Sequence, residues 1–189
     1  MPGKNQLAKG TILLANGNLT DTNFKRTLVL LCEHGSQGAY GLILNQPAQV
    51  HLSQVFPDTP EFTSCDLSLY TGGPCELDRI QVLHSFRSND IGGALICSGI
   101  YAGGDFLKII AACKAKPKAN RYCRFYRGYS GWGANQLETE MEANAWIVCK
   151  AARDIVFSSN AETMWPQVLK SMGGYYSFLA TMPPDLSAN

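Results

Sequence analysis

The hydrophobic pattern of the chain predicts short β-strands near its beginning. Three runs, Lys9–Ala15, Thr27–His34 and Tyr40–Gln46, are rich in aliphatic and β-branched residues, and each is followed by asparagine, glycine or proline. The second and third runs flank a short glycine-containing connection. This arrangement predicts an antiparallel hairpin.

The strand predicted at Thr27–His34 carries apolar side chains on both faces. Because successive side chains of a strand point to opposite sides, Leu28 and Leu30 share one face. Val29 and Leu31 share the other face. We therefore expect a central strand that is buried on both sides.

Further strands are predicted along the rest of the chain. They are Leu67–Thr71, Arg79–His84, Ala94–Ser98, Arg121–Arg127, Ile147–Lys150 and Asp154–Phe157. The first two flank a turn-forming Gly-Gly-Pro sequence, which predicts a second hairpin or a corner. The polar, proline-containing stretch Ala48–Asp66 is predicted to be a surface loop with a short helix near His51–Phe56.

Apolar residues spaced by three and four predict three longer helices. Asp105 is a suitable N-cap for the first, which runs to about Lys116. The last begins after Asn160 and ends at Gly173–Gly174. The helix between them carries an apolar stripe formed by Leu137, Met141 and Ala145.

The order of these elements predicts the fold class. Strands come early in hairpin-like pairs and helices come late, so we expect an α+β fold with a mostly antiparallel sheet covered by helices. The 189 residues are predicted to form a single domain, residues 1–189, whose core spans about residues 7–182.

Composition and charge narrow the classes of function. Hydrophobic residues make up 46% of the chain and charged residues 16%, as in ordinary globular proteins. The formal net charge of +1 argues against a protein dedicated to coating nucleic acid. No apolar run has the length of a membrane span or the form of a secretory signal, so we expect a cytoplasmic protein that does not enter the membrane.

The cysteines predict neither disulfides nor a metal site. The seven cysteines include no Cys-x-x-Cys pair, and an odd number cannot all pair within one chain. Several lie in apolar runs, where a free cysteine behaves as a small hydrophobic residue. The sequence therefore predicts reduced thiols, no metal and no cofactor.

Polar residues and glycines are concentrated at one junction, Tyr122–Trp146. The pattern predicts a strand, a glycine-rich turn at Gly128–Gly133 and then an amphipathic helix. Ser130 in this turn resembles the nucleophile of a strand–turn–helix elbow, but Trp132 stands where that elbow needs a glycine. The sequence therefore predicts no catalytic residue.

The start of the junction helix is instead a candidate anion site. Free backbone N–H groups and a partial positive charge attract a phosphate or carboxylate, and the neighbouring glycines would let it approach. The competing interpretation is that Gln136 or Glu138 folds back and caps those groups internally. The candidate ligand-binding residues of the junction are Ser130, Gly131, Trp132, Gly133, Gln136 and Glu138.

Basic residues are concentrated in Phe106–Leu137, a stretch without Asp or Glu. The candidates for contact with nucleic acid are Lys114, Lys116, Lys118, Arg121, Arg124 and Arg127. They alternate with aromatic residues, a combination that suits single-stranded nucleic acid because cations neutralise phosphates and rings stack on bases. On a strand, however, alternate residues face opposite sides, so the three arginines do not form one stripe. The alternative is a solvated surface whose cations pair with Glu138, Glu140 and Glu142.

Four motifs occur in order along the chain. They are FKRTLVLLCEHGSQGAYGLILNQP, TGGP at Thr71–Pro74, VLH at Val82–His84 and GYSGWGANQLETEMEANAW. Together they resemble the AlgH/YqgE family of bacterial proteins, from about Leu7 to Met182. The resemblance implies one α+β domain with a bifurcated sheet folded into a partly closed, barrel-like shape. One branch of that family is named as a regulator of exopolysaccharide gene expression, although the family has no recognised DNA-reading module and its activity is not settled.

The matched motifs add five candidate ligand-binding residues. Arg26, His34 and Asn45 lie at the ends of the first predicted hairpin. Gly72 and Gly73 belong to the TGGP motif, where their alternative role is a tight turn.

We therefore predict a cytoplasmic, non-catalytic regulatory or interaction protein of this family, with a protein as its partner. The chief alternative is a binder or hydrolase of a small anionic ligand, such as a nucleotide or a phosphorylated metabolite. That ligand would bind at Gly128–Gly133 with Arg26 or His34. A third interpretation is weak association with nucleic acid through the basic stretch.

Overall fold

The computed structural model of the chain describes residues 7–16, 19, 21–63, 67–87, 89–116 and 118–183. Its first strands are β1 (Thr11–Ala15), β2 (Leu28–Gly35) and β3 (Gly38–Ile43). They pair antiparallel in sequence order, which confirms the first predicted strand and the predicted hairpin.

The two faces of β2 lie in different parts of the core, as its apolar pattern predicts. Leu28 and Leu30 pack with the helices that end the chain. Val29 and Leu31 pack on the opposite side with Trp132. Burial on both faces makes β2 a central strand of the sheet.

The remaining strands complete a ten-stranded sheet. They are β4 (Pro47–His51), β5 (Ser68–Thr71), β6 (Cys75–His84), β7 (Ala94–Cys97), β8 (Ile100–Ala102), β9 (Cys123–Trp132) and β10 (Trp146–Lys150). The main path runs β10-β1-β2-β3-β9-β6-β8-β7, and β5 joins it by pairing with β9 and with β4. All pairs are antiparallel except β5 with β9.

Seven helices lie around the sheet in the described residues. They are α1 (Leu52–Val55), α2 (Pro60–Thr63), α3 (Phe106–Lys114), α4 (Gln136–Glu142), α5 (Arg153–Val156), α6 (Ala161–Met172) and α7 (Gly174–Leu179). Residues of α6 and α7 cover one face of the β1–β3 region, and Leu137 of α4 covers the other. Residues of α1, α2 and α3 enclose a third core cluster against β5, β6 and β9.

These elements confirm a mixed α+β fold with a mostly antiparallel sheet. The barrel that the resemblance implies is not confirmed, because the strand path ends at β10 and β7 and does not close. β7 nevertheless lies close to the residue that precedes β1. A Cβ atom at Gly10, beside β1, would lie 2.8 Å from Cβ of Cys97 in β7.

The predicted turn at Gly128–Gly133 is wrong, because Gly128–Trp132 forms the second half of β9 and only Gly133 lies beyond its end. Gly128 permits close backbone contact instead of reversing the chain, because a Cβ atom there would lie 2.7 Å from the carbonyl oxygen of Gly73. A Cβ atom at Gly73 would lie 2.3 Å from the carbonyl carbon of Tyr129, so only glycine allows this approach. Gly128 has a φ of +65° and lies at an irregularity in the pairing of β9 with β6.

Two other predictions of local structure are also corrected, and two further elements are ones that the sequence analysis does not predict. Pro47–His51 is the strand β4 rather than a loop, and its exposed proline is tolerated because it begins the strand. Asp154–Phe157 was predicted as a strand, but most of it belongs to the one-turn helix α5, which is too short to show a helical period. A further helix, α7, follows the one that ends at Gly173, and β8 was not predicted.

The sequence predicts a hairpin or a corner at the Gly-Gly-Pro sequence between β5 and β6, and of these two alternatives the hairpin is wrong. Both β5 and β6 pair with the same residues of β9, Phe125–Arg127, so they lie on opposite edges of that strand. The Gly-Gly-Pro sequence between them carries the chain across β9. In the described parts of the chain, no helix has the length and apolar character needed to cross a membrane.

Candidate functional site

Four aromatic rings form a stack where β6, β8 and β9 meet. The ring centroids of Tyr101 and His84 lie 5.4 Å apart, with 14° between the ring planes. His84 and Phe86 follow at 6.0 Å and 20°. Phe86 and Tyr122 complete the stack at 6.2 Å and 12°.

Strand pairing places these four rings side by side. His84 of β6 is the register partner of Tyr101 in β8 and of Cys123 in β9. The N–H of Ser85 donates to the carbonyl of Tyr122 at 2.8 Å, which extends the pairing of β6 with β9 past the end of both strands. Neighbouring strands therefore present the rings to one another.

Four exposed cations surround the stack: Arg87, Lys116, Arg121 and Arg153. The guanidinium carbon of Arg153 lies 5.0 Å from the ring centroid of Tyr122. The Nζ atom of Lys116 lies 5.8 Å from the same centroid. These distances permit cation–π contacts with one ring.

Three adjoining cavities lie along the stack. One, of about 600 Å³, is lined by Arg121, Tyr122, Arg153 and the acidic Asp154. The next, of about 410 Å³, shares Tyr122 and Arg153 with it. The third, of about 510 Å³, shares Phe86 and Arg87 with the second and reaches Tyr101. We call the four rings and the four cations together the aromatic-basic groove.

The four cations of the groove keep their charge available. The carboxylates of the described residues form ion pairs with Arg79, Lys108 and His34, and none forms one with a groove cation. A positive surface without neutralising partners attracts an anion.

His84 contributes an uncharged ring to the centre of the stack. Its side chain is completely buried, and this burial lowers the pKa of the imidazole, although backbone groups of Gly103 and Gly92 act in the opposite direction. Because the ordinary value for histidine is already below neutrality, the ring is neutral at physiological pH. The positive charge of the groove therefore comes from its arginines and its lysine.

The basic residues predicted from the sequence divide between the groove and the rest of the surface. Lys116 and Arg121 belong to the groove, whereas Lys114 and Lys118 are exposed without lining its cavities. Arg127 is half-buried on β9.

Arg124 is a structural residue. Its side chain is only 2% exposed. It donates to the carbonyl of Leu44 at 2.9 Å and to the carbonyl of Ser158 at 2.5 Å. Its guanidinium carbon lies 4.2 Å from the ring centroid of Tyr70. Arg124 therefore faces away from any phosphate at the surface, as strand alternation predicts.

Sequence reasoning missed Arg87, Arg153, Phe86 and Tyr101. The alternation of rings and cations around Tyr122 was a usable signal, and it led to two of the groove cations. The other residues come from distant segments, whose pairing with β9 no local pattern indicates.

The structure brings Ser130, Gly72 and Gly73 together as packed backbone. Ser130 is completely buried, and its hydroxyl donates to the carbonyl of Gly72 at 3.0 Å. Gly131 is exposed on the same strand. A buried hydroxyl that is already bonded to a carbonyl offers no binding group to an external ligand.

The backbone before α4 is capped from within the chain. The N–H of Gly133 donates to Oε1 of Gln136 at 3.0 Å, as the internal-capping interpretation predicts. The carboxylate of Glu138 lies near its own backbone N–H and 2.8 Å from Nε2 of His34. Both contacts lower the pKa of Glu138, and the backbone N–H has a larger effect than His34. The candidate anion site is thus filled by side chains of α4.

The acidic residues of α4 do not pair with the basic stretch, contrary to one interpretation of the sequence. Oε2 of Glu140 accepts the indole N–H of Trp132 at 2.9 Å and that of Trp146 at 2.7 Å. Glu138 pairs with His34. Trp132 is therefore a core residue that α4 holds in place.

Arg26 and Asn45 form a separate contact beside α6. The Nδ2 atom of Asn45 donates to the carbonyl of Arg26, and its Oδ1 accepts the N–H of Leu28. The guanidinium of Arg26 lies over the ring of Trp165 and donates to the carbonyl of Met182. Both residues thus connect the first hairpin to the end of the chain, and neither bonds to Ser130 or His34.

The fold and the groove together describe an α+β protein with an aromatic and basic surface groove. In the described ranges no cluster of three or more His, Cys, Asp or Glu residues is arranged to hold a metal ion. A family model described as AlgH-like matches residues 12–177. The chain belongs to this AlgH-like family, which confirms the resemblance seen in its motifs.

Relatives in two bacterial groups support this assignment. A UPF0301 protein of Chlorobium phaeobacteroides is 37% identical over 179 residues, which is 94% of this chain and 94% of the relative. A UPF0301 protein of Chlamydia felis is 37% identical over 185 residues, which is 97% of this chain and 96% of the relative.

Two solved structures have a similar fold. The AlgH protein from Pseudomonas aeruginosa has a TM-score of 0.72 and 29% identity, covering 97% of this chain and 98% of its own. A protein from Corynebacterium diphtheriae has a TM-score of 0.74 and 20% identity, covering 94% of both chains. The second similarity concerns the fold alone.

Proposed function

We propose that this AlgH-like protein is a non-catalytic regulatory protein of the cytoplasm that binds single-stranded nucleic acid in the aromatic-basic groove. One observation carries the proposal: the half-buried rings of Phe86, Tyr101 and Tyr122, stacked with the buried His84, lie among four exposed cations that form no ion pair with a carboxylate of the described residues. Single-stranded nucleic acid offers the complementary groups, which are phosphates for the cations and bases for the rings.

The groove suits single strands better than a duplex. Aromatic side chains can stack only on bases that are not already stacked in a helix. The cavities, of about 410 to 600 Å³, have the size of small-ligand pockets and so match individual nucleotides. No recognition helix is required for this mode of binding.

Arg153 would take part in base stacking as well as in neutralising phosphate. It lies over the ring of Tyr122, where its planar guanidinium can stack on a base. If a base instead takes the place of the guanidinium over Tyr122, Arg153 can move to a phosphate. Lys116, a flexible point charge near the same ring, suits a phosphate.

The proposal differs from the interpretation based on the basic stretch alone. Only Lys116 and Arg121 of that stretch line the groove, and Arg87 and Arg153 supply the other charges. Four cations and a net charge of +1 for the whole chain predict weak, salt-sensitive binding.

Fluorescence anisotropy with an oligothymidine of about twenty nucleotides tests the proposal. We expect saturable binding that weakens between about 50 and 200 mM salt, and weaker binding to a duplex of the same length. The variant Arg87→Ala/Arg153→Ala should reduce the slope of log affinity against log salt by about 1.4, since each contact on a single strand contributes about 0.7.

The matched control is Lys25→Ala/Lys170→Ala, which removes two exposed cations outside the groove. It should leave the slope and the affinity close to those of the unmodified protein. Absence of binding at low salt, or an equal loss in the control, would overturn the proposal.

A further inference from the structure

A separate cavity of about 510 Å³ opens beside β6. β6 pairs with β8 only at Leu83 and His84, so that edge has no strand partner over Arg79–Gln81 among the described residues. The cavity lies at this open edge, between Tyr129 of β9 and the start of α3. Its volume falls in the range of small-molecule sites.

Apolar and aromatic side chains form most of the lining. Ile80, Val82 and Phe106 supply the apolar part. Tyr40 and Tyr129 meet edge to face, with centroids 5.5 Å apart and 75° between their planes, and form an aromatic wall. A flat, mainly apolar molecule is the complementary shape.

One rim of the cavity is fixed by a polar network around Glu76. Its carboxylate accepts the phenol O–H of Tyr129 at 3.0 Å and pairs with Arg79 at 3.0 Å. Glu76 has a left-handed backbone with a φ of +43°, which is uncommon for a residue with a side chain. The hydrogen bond to Glu76 is the largest cause of the raised pKa of Tyr129, so the phenol stays neutral. The same bond holds the phenol in position.

The opposite rim contains a hydrogen-bond donor without a partner. The phenol of Tyr40 donates to Oε1 of Gln81, and this leaves Nε2 of Gln81 without a bond to any described residue. Cys32 lies next to Tyr40, and burial raises the pKa of its thiol to about 12, so the thiol is neutral and unreactive. Nε2 of Gln81 remains for a ligand, and the guanidinium of Arg79, which pairs with Glu76 through one nitrogen, has further N–H groups to donate.

From this combination we infer a second binding site, for a small planar ligand that is mostly apolar and carries one carboxylate or similar acceptor group. The rings of Tyr40 and Tyr129 and the apolar residues hold the planar body. Gln81 and Arg79 bind the acceptor group. Of the residues predicted from the sequence as an anion site, Gly128–Gly133, only Tyr129 lines this cavity.

The site is distinct from the aromatic-basic groove. The two share no lining residue. They adjoin where Gly93 of the third groove cavity meets Gly103 of this one, since a Cβ atom at Gly93 would lie 3.0 Å from the carbonyl oxygen of Gly103. The variants that test each site lie away from this boundary. Each can therefore be tested without changing the other.

Isothermal titration calorimetry with 2-naphthoate as the probe tests this inference, with the neutral 2-naphthylmethanol as the matched compound. We expect one saturable site for 2-naphthoate. The affinity of the alcohol should be lower by roughly fivefold or more, since the alcohol lacks the charged acceptor group. Ile80→Trp should abolish binding by filling the cavity. Arg79→Leu should weaken binding of 2-naphthoate roughly threefold or more.

The matched control is Arg87→Leu, which removes an exposed arginine of the groove and should leave 2-naphthoate binding unchanged. Should Ile80→Trp fail to fold, Arg79→Leu/Gln81→Leu carries the test and should reduce the probe's affinity at least tenfold, or about 1.4 kcal/mol. The inference is overturned by unsaturable binding, by equal affinity for acid and alcohol, or by binding that these variants leave intact.

Discussion

The ring of Phe86 lies nearly parallel to the ring of Tyr122, with 12° between their planes and 6.2 Å between their centroids. The two residues come from different parts of the chain, and the hydrogen bond from Ser85 to Tyr122 brings them together. Arg153 and Lys116 lie near the same tyrosine. Tyr122 is thus the point where rings and cations of the groove meet.

Replacing Tyr122 separates stacking from charge. We expect Tyr122→Ala to weaken oligothymidine binding by about 1–3 kcal/mol, because a base loses its aromatic partner, whereas Tyr122→Phe retains most of the affinity. Fluorescence anisotropy measures both. The control is Tyr175→Ala, which removes a tyrosine that is 66% exposed on α7. Equal affinities of Tyr122→Ala and the unmodified protein would contradict a stacking role.

Arg124 should behave as a structural residue despite its place in the basic stretch. Arg124→Met leaves the carbonyls of Leu44 and Ser158 without their donor, and we expect it to lower the free energy of unfolding by about 2–4 kcal/mol. Urea denaturation measures this change. The exposed Arg121→Met, three residues earlier, should change stability by less than about 0.5 kcal/mol. Similar stabilities of the two variants would show that the buried bonds of Arg124 contribute little.

Glu140 should stabilise the packing of α4 against the sheet. In Glu140→Gln, an amide replaces the carboxylate that accepts two indole N–H groups, and we expect a loss of about 1–3 kcal/mol in the free energy of unfolding. Urea denaturation followed by tryptophan fluorescence measures it. Glu142→Gln alters an exposed residue of the same helix and should be nearly neutral. A neutral Glu140→Gln would count against this role.

The pair of Glu138 and His34 predicts a pH dependence. The pKa of Glu138 lies below its ordinary value of 4.5, mainly because of its own backbone N–H and then because of His34. A carboxyl with a lowered pKa in the folded state stabilises the fold above its ordinary pKa, and this contribution is lost as pH falls through the folded value. Stability should therefore decline below about pH 4.5.

Carbon-13 NMR titration of the Glu138 carboxyl checks this explanation. In His34→Ala the pKa of Glu138 should rise toward 4.5 without reaching it, because the backbone contact remains. An unchanged pKa in that variant would show that His34 does not act on Glu138.

Local elements of the fold could be predicted because their causes lie within a few residues. The two apolar faces of Leu28–Leu31 indicate a central strand, and the structure buries both. Asp105 was predicted as an N-cap, and its carboxylate accepts the N–H of Lys108 at 3.1 Å. Gly128–Gly133 was misinterpreted because its glycines suggest a turn, whereas Gly128 permits close contact with the backbone of Gly73, a residue remote in sequence.

The groove could be predicted only in part, because only some of its residues are close to one another in sequence. Lys116, Arg121 and Tyr122 are close in sequence, so their combination of charge and ring was visible. Arg87 and Arg153 join them through long-range strand pairing and the one-turn helix α5, which depend on the order of the strands. That order is set by tertiary packing, and no local pattern specifies it.

Chemical-shift mapping of the nitrogen-15-labelled protein with oligothymidine locates the binding surface residue by residue. We expect saturable shifts concentrated at the backbone amides of Phe86, Arg87, Lys116, Tyr122 and Arg153, with little change in α4 or α7. The proposal that the aromatic-basic groove binds single-stranded nucleic acid is contradicted by either of two results. One is that no shifts occur at low salt, and the other is that the shifts are concentrated outside these residues.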